Sequence, residues 1–313
     1  MIHTCRASLS NHLDTHAFSF LLSMPRAKAN PSRPAEVKAA SKPPTSAVSK
    51  VISKASKIAD KSGAAKAIST TLPDHLQTLL DDLVPSWQSQ YKPERLQLIR
   101  TQTQMWWREF TREHLKNPVR FLVIAEAPPW RRNGDPTYVY KPNDGDYEGG
   151  ILGALVGGIS AANGDSSAPV FAKKNADAKA ATLRYLGEQG VLLVDPLPFS
   201  LFYSGKGDGC KHSNLRDKAA YTTAARVGWE EVLAQLDDAG VVLHDKVVIG
   251  FTLLKSARAL TIDSGQALRP LRLPGGREVV IEPKDATFTT SAGYPDAKVL
   301  ARMLNEHTPL PKR

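Results

Sequence analysis

Two carboxylates in this sequence come directly after short apolar runs, at the points where the runs end. Glu126 follows Phe121–Ala125, and Asp195 follows Val191–Val194; prolines come soon after each acid. Such runs are typical of strands buried in a parallel sheet, and prolines end the ladder of hydrogen bonds. Because ligands collect at the carboxyl ends of parallel strands, both acids are candidates for acid–base chemistry or ligand binding. The alternative for Glu126 is that it only accepts hydrogen bonds at a strand end.

The elements that must position these acids alternate between helix and strand along the chain. This alternation predicts an α/β fold: a three-layer α/β/α sandwich around a mostly parallel four-stranded sheet, with a disordered basic N-terminal tail. The glycines between positions 149 and 158 are expected to let a helix approach the sheet closely. The predicted strands are Phe121–Ala125, Val191–Val194, Lys246–Ile249 and, as the last one, Val279–Ile281, to which Thr287–Thr290 is a candidate addition. The predicted helices are Pro73–Leu83, Pro93–Phe110, Lys179–Gln189, Asn214 or Arg216 to Leu236, Leu253–Leu260 and Pro295–Glu306.

Charge divides the chain unevenly. Residues 1–70 carry eleven of the 41 basic residues and three of the 31 acidic ones, so most of the net charge of +10 lies there. A segment so poor in apolar surface cannot offset its ordering entropy, which predicts disorder. Such a tail attracts polyanions such as nucleic acid, or serves as a solvated linker. We therefore divide the chain into a tail (1–70), an N-terminal helical segment packing on the core (71–118) and an α/β domain (119–313).

The N-terminus and the cysteines bear on the compartment. The apolar stretch at 16–23 is broken by serines and preceded by Asp14, which disfavours a secretory signal, while organelle targeting stays open. A start at Met24 instead of Met1 would remove this stretch. No apolar run approaches a membrane span. Cys5 and Cys210 are too few for a disulfide framework, an iron–sulfur cluster or a zinc site, so we expect no metal or cofactor. We also expect the protein to lie in the reducing cytoplasm, and in a bacterium to be associated with the nucleoid.

Several common motifs are missing from the sequence. There is no phosphate-binding G-x-x-x-x-G-K-[ST] motif, no G-x-G-x-x-G after a strand, no H-E-x-x-H and no G-x-S-x-G. The loop Ser204–Gly209 is rich in glycine, but its spacing is wrong for a phosphate loop. Nucleotide hydrolysis and dinucleotide redox chemistry are therefore disfavoured.

Four short segments, taken in order, resemble the motifs of the uracil-DNA glycosylase superfamily. Ala125–Pro129 is similar to the G-E-A-P-G motif after the first strand, and Val191–Asp195 to the strand that ends in a base-reading Asn. Val247–Gly250 with its following helix is similar to the third segment, and Tyr294–Asp296 to the His-Pro-Ser motif. The resemblance covers the chain from Arg120 onward.

The departures from the family pattern concern the residues that do the chemistry. Ala125 and Pro129 stand where the first motif has glycines, Asp195 replaces the Asn, and Tyr294 replaces the His. The iron–sulfur cysteines of the G-E-A-P-G branch are absent from the sequence. The chain therefore resembles a divergent member of the superfamily.

The resemblance implies hydrolysis of the N-glycosidic bond of a flipped base in DNA, by a monomer whose basic tail adds to DNA binding. Glu126 would stabilise the cationic sugar or orient water, with Tyr294 in the place of the His; these are the expected catalytic residues. Tyr138 and Tyr140 would stack on the base, or else anchor their loop. The expected base-binding residues are Ala127, Tyr138, Tyr140 and Asp195. The expected contacts to the DNA backbone are Lys211, His212 and Arg216, for which a solvated basic surface is the alternative.

Asp195 bears on which base such a pocket would accept. An Asn both donates and accepts hydrogen bonds, whereas an ionised Asp only accepts, so the pocket is expected to prefer a base that presents an amino group. Two other functions stay open. The chain could be a non-catalytic nucleic-acid or nucleotide-binding protein, or a hydrolase of free nucleosides.

Overall fold

The computed structural model describes residues 72–83, 91–129, 135–142, 150–172, 175–199, 218–263, 265–289 and 295–307. Four residues that the sequence assigns to the site, Tyr294, Lys211, His212 and Arg216, lie outside this part of the chain. The predicted tail (1–70) and the glycine-rich loop Ser204–Gly209 also lie outside it. Their predicted roles stay predictions.

The core of the fold is a parallel sheet of three strands, β1 (Val119–Ile124), β2 (Val191–Val194) and β3 (Leu243–Phe251), in the order β2-β1-β3. Ile124 lies opposite Val194 on one side and opposite Phe251 on the other. Five of the six residues of β1 are buried and all four of β2, as expected for apolar strands between helices. The mixed α/β class and the three predicted parallel strands are confirmed.

The expected fourth strand of the parallel sheet is not confirmed. The segment expected at 279–281 contributes only β5 (Glu278–Val279), which pairs antiparallel with β4 (Leu271–Arg272) in a separate two-stranded ribbon. Further along, Thr287 makes a single parallel bridge to Phe251 at the end of β3. The extended stretch beside β3 is short because Thr287 follows a turn and Thr289 already bridges antiparallel to Pro295.

Seven α-helices are found in the described part of the chain: α1 (Asp74–Leu83), α2 (Pro93–Glu113), α3 (Gly150–Asn163), α4 (Ala176–Glu188), α5 (Lys218–Asp238), α6 (Leu254–Thr261) and α7 (Ala297–His307). The helix α3 contacts α4 and α7, α2 contacts α4, and α5 contacts α1 and α6. An ion pair between Arg100 and Glu231 links α2 to α5. None of these helices is long and apolar enough to cross a membrane.

The close approach that the glycines of 149–158 permit is between two helices, not between a helix and the sheet as expected from the sequence. A Cβ added at Gly158 of α3 would lie 2.7 Å from Cγ and 2.9 Å from Cβ of Leu300 on α7. Leu300 is fully buried, so the two helices pack with their backbones close together. The spacing of glycines indicated a close contact, but it carried no information about the partner.

Candidate functional site

The two acids that follow the strands lie at the same edge of the sheet. Backbone hydrogen bonds join the chain just beyond the strands: Ala125 N donates to Val194 O (2.8 Å), and Leu197 N donates to Glu126 O (3.0 Å). On the other side Thr252 N donates to Ile124 O (3.0 Å). The ends of all three strands are thus fixed relative to one another, which holds Glu126 and Asp195 near each other.

Glu126 is buried, with 3% of its surface exposed, and it is hydrogen-bonded to a side chain of a neighbouring helix. Tyr221 of α5 donates its hydroxyl proton to Glu126 Oε1 at 3.0 Å. The Tyr221 oxygen also lies 3.0 Å from Ser256 Oγ of α6. Because Tyr221 has one proton and gives it to the carboxylate, Ser256 is the donor of the second bond. This chain of hydroxyl groups satisfies a buried carboxylate and fixes its orientation.

Lys255 places a positive charge at the same edge. Its Nζ lies 3.7 Å from the centre of the Tyr221 ring, a cation–π contact on the ring whose hydroxyl binds Glu126. The residue as a whole is exposed, but its amine end is partly removed from water against this ring. Burial lowers the pKa of Lys255, and the charge of Glu126 opposes that effect.

Asp195 is the titratable group of the site. It is partly exposed, and Tyr138 donates a hydrogen bond to its Oδ2 at 2.8 Å. Burial raises the pKa of Asp195 from 3.8 to about 7; the bond from Tyr138 lowers it and the nearby charge of Glu126 raises it further. A carboxyl group that titrates near neutral pH can both take up and release a proton there, which suits general acid–base catalysis.

Tyr138 and Tyr140 are both buried, with 5% exposed, and both bind strand β2 or its end. The Tyr140 hydroxyl accepts a hydrogen bond from Leu193 N (2.6 Å) and donates one to Leu193 O (3.2 Å). The Tyr140 ring stacks on Phe110 of α2, with 4.2 Å between centroids. In the described part of the sheet β2 is an edge strand, and Tyr140 occupies backbone groups that would otherwise invite pairing. These contacts anchor the loop to β2, which was the alternative role given to the two tyrosines from the sequence. Stacking of either ring on a base stays a prediction.

A buried lysine supports this loop. Lys179 of α4 has 2% of its surface exposed, and its Nζ donates to the carbonyl oxygen of Tyr138 at 3.2 Å. The lysine therefore ties the loop that carries Tyr138 and Tyr140 to the helix before β2. Through Tyr138 it also helps to hold Asp195. The predicted helix included Lys179, but its sequence offered no sign that this residue is buried.

A small cavity opens beside Asp195, between β2, α2 and α5. Its volume is about 60 Å³, well below the roughly 300–1,000 Å³ of typical ligand pockets. Gly228 of α5 lies against Pro196, where an added Cβ would collide with the Pro196 carbonyl oxygen, so the glycine lets α5 approach this segment. A bound base would require the cavity to widen. Its wall includes Arg100, Trp107, Pro128, Tyr138, Asp195 and Phe199.

The described structure brings together five of the residues chosen from the sequence: Glu126, Ala127, Tyr138, Tyr140 and Asp195. Ala127 is buried next to Glu126, with 7% exposed. Four contributors were missed: Lys179, Tyr221, Lys255 and Ser256. Lys255 and Ser256 could have been found, because they open the helix after the third strand and thus lie near the same edge. For Tyr221, in the first turn of a long helix, the sequence offers no comparable signal.

Within the described residues, no cluster of three or more His, Cys, Asp or Glu side chains could hold a metal ion. Comparisons of the chain with protein-family models, with curated proteins and with solved structures gave no match.

Proposed function

We propose that the protein is a uracil-DNA glycosylase-like enzyme that hydrolyses the N-glycosidic bond of a flipped base in DNA. The observation that carries the proposal is the meeting of Glu126 and Asp195 at the carboxyl edge of two adjacent parallel strands. The strand order β2-β1-β3 and the parallel bridge at Thr287 support a four-stranded α/β/α sandwich in which the last strand is reduced to its first residues. The proposed partner is DNA, bound by a cytoplasmic monomer partly through the basic tail.

In this proposal the two acids have different roles. Cleavage of the bond develops positive charge on the sugar and negative charge on the departing base. Glu126, whose orientation is fixed by Tyr221, would stabilise the sugar cation or orient the attacking water. Asp195, protonated for part of the time near neutral pH, would donate to the base as it leaves.

The pKa of Asp195 also changes the expected base preference. The sequence suggested an ionised Asp that only accepts hydrogen bonds, and hence a base that presents an amino group. With a pKa of about 7, both forms of Asp195 are populated near neutral pH. The protonated form can donate and accept, as the family's Asn does. We therefore propose that Asp195 favours binding of uracil-like bases at lower pH and of bases that carry an amino group at higher pH.

The direct test is base release from a panel of oligonucleotides that carry different damaged bases, detected as strand breaks after alkaline treatment. Glu126→Gln should abolish release while DNA binding is kept, because the amide preserves size but not charge. Asp245→Asn, which changes an exposed carboxylate on β3, serves as the control. Full activity of the Glu126→Gln protein would reject Glu126 as a catalytic residue.

A second function, nucleic-acid or nucleotide binding without catalysis, is favoured by two observations. Glu126 is almost fully buried and already hydrogen-bonded to Tyr221, and the cavity beside Asp195 is small. A protein of this kind would bind oligonucleotides but release no base from any member of the panel. Base release from even one oligonucleotide, lost on Glu126→Gln, would decide for the enzyme.

A further inference from the structure

Among the described residues of this edge, Lys255 has the amine that combines exposure with nucleophilic chemistry. The neighbouring hydroxyl groups of Tyr221 and Ser256 are buried, with 2% and 0% exposed, and bonded to each other. Lys255 comes in the first turn of α6, four residues after the end of β3, and is exposed. A reagent that reached the strand ends from solvent would therefore meet this amine.

The contact with Tyr221 determines where the amine lies. A free lysine side chain samples many rotamers, whereas this one has its Nζ 3.7 Å from the centre of a ring that is itself buried and hydrogen-bonded. The ring is in turn fixed to Glu126, the carboxylate proposed to act on the sugar. The amine is thus held within reach of the region where a deoxyribose would lie if the glycosylase proposal is correct.

We propose that Lys255 is a nucleophile of this site that forms an imine with the aldehyde of an abasic deoxyribose. The inference rests on the proposed function, because an abasic sugar is the product that base release leaves behind. The chain has many other lysines, but among the described ones Lys255 is the lysine seen to contact the aromatic ring that binds Glu126.

The reaction balances without an added cofactor. The unprotonated Nζ attacks the C1′ aldehyde carbon of the ring-opened sugar, and the carbonyl oxygen takes up a proton to give a carbinolamine. Loss of water then forms the C=N bond of the imine. The lowered pKa of Lys255 increases the unprotonated fraction that this step needs.

The test uses the full chain and duplex DNA that carries a preformed abasic site, so that no base release is required. Sodium borohydride delivers hydride to the imine carbon and turns the adduct into a stable secondary amine, which is seen as a shifted band on a denaturing gel. Trypsin does not cleave after an alkylated lysine. The adduct on Lys255 is therefore identified on the peptide Val247–Arg258.

The matched variant is Lys255→Arg, which keeps a cation over the Tyr221 ring but cannot form an imine at neutral pH. We expect the adduct on peptide Val247–Arg258 in the wild type, with Lys255→Arg and Lys255→Ala reducing the adduct formed outside residues 1–70 by about tenfold or more. Lys246→Arg, on β3 toward its amino end, keeps the tryptic site before Val247 and should leave the adduct unchanged. Adducts on lysines of the tail are counted separately by peptide mapping.

The inference is overturned if the wild type gives no adduct on this peptide, or if Lys255→Arg forms as much adduct as the wild type. Failure of the glycosylase proposal is a separate result: no base would be released from intact oligonucleotides, whatever happens at the abasic site. Glu126→Gln separates the two further. It should abolish base release yet keep or increase the adduct, because loss of the Glu126 charge removes an effect that favours protonated Lys255.

Discussion

Replacing Asp195 with Asn should change how the stability of the protein depends on pH. The pKa of Asp195 is about 7 in the fold, against 3.8 as its ordinary value. In the range between these two values the unfolded chain releases the proton while the folded protein keeps it. Stability associated with Asp195 is therefore fully present below about pH 4 and is lost as the pH rises through 7. Asn has no proton to release, so this loss should be absent from the variant.

The size of the effect follows from the same two pKa values. They differ by about three pH units, and each unit corresponds to about 1.4 kcal/mol, which gives a loss of up to about 4 kcal/mol for the wild type. Asp195 is partly exposed, so water offsets some of the penalty and the measured value should fall below this limit. The charge of Glu126 contributes to the shift, so Glu126→Gln should reduce the pH dependence without removing it.

The assay is urea unfolding of the wild type and of Asp195→Asn at several values between about pH 4.5 and 8.5, followed by circular dichroism. The stability of the variant relative to the wild type should increase as the pH rises and level off above pH 7. Tyr138 can still donate to the side-chain oxygen of Asn, so the geometry is preserved. Equal pH dependence in the two proteins would refute the assignment of a raised pKa to Asp195.

Three further substitutions test the contacts that hold the site, all by urea unfolding at neutral pH. Tyr221→Phe removes the donor to the buried carboxylate of Glu126 and should cost about 1–3 kcal/mol. Tyr140→Phe leaves two backbone groups on the outer edge of β2 without their partner and should cost a similar amount, about 1–3 kcal/mol. Gly158→Ala should cost about 1–3 kcal/mol by overpacking α3 against α7. Gly153→Ala, on the same helix, would place its Cβ 4.0 Å from Phe171 Cδ1, an ordinary van der Waals contact, and should instead stabilise the protein slightly.

Each of these predictions has its own control or contrary result. Ser256→Ala removes only the donor to the phenolic oxygen of Tyr221, so it should lower the free energy of unfolding by less than Tyr221→Phe does. A larger loss for Ser256→Ala would contradict the assigned direction of the hydrogen bonds from Ser256 to Tyr221 to Glu126. An unchanged stability of Tyr140→Phe would mean that water replaces the phenol at the strand edge. If Gly158→Ala were tolerated as well as Gly153→Ala, Leu300 must be able to move, and the close approach of the two helices would not be a constraint.

The sequence by itself determined the sheet and the place of the two acids. Apolar runs that end near a proline predicted β1 and β2, and the run Lys246–Ile249 predicted the central part of β3. The alternation with helices predicted that these strands pair in parallel. Because the carboxyl ends of parallel strands lie at the same edge of a sheet, Glu126 and Asp195, which each follow a strand, could be assigned to that edge from local pattern alone. The last strand was not recovered, since pairing of Thr287 with β3 depends on a turn that a short run of β-branched residues does not specify.

Only the tertiary structure decided what surrounds those acids. Tyr221 and Lys179 each come from the first turn of a helix, more than fifty residues from Glu126 along the chain, and nothing local marks them as buried. The pKa of Asp195 likewise depends on burial and on the charge of Glu126, both of which exist only when distant segments pack together. Hydrophobic periodicity predicts which face of a helix or strand is buried, but it does not predict which side chain packs against that face. The chemistry of this sheet edge depends on the side chains that pack there.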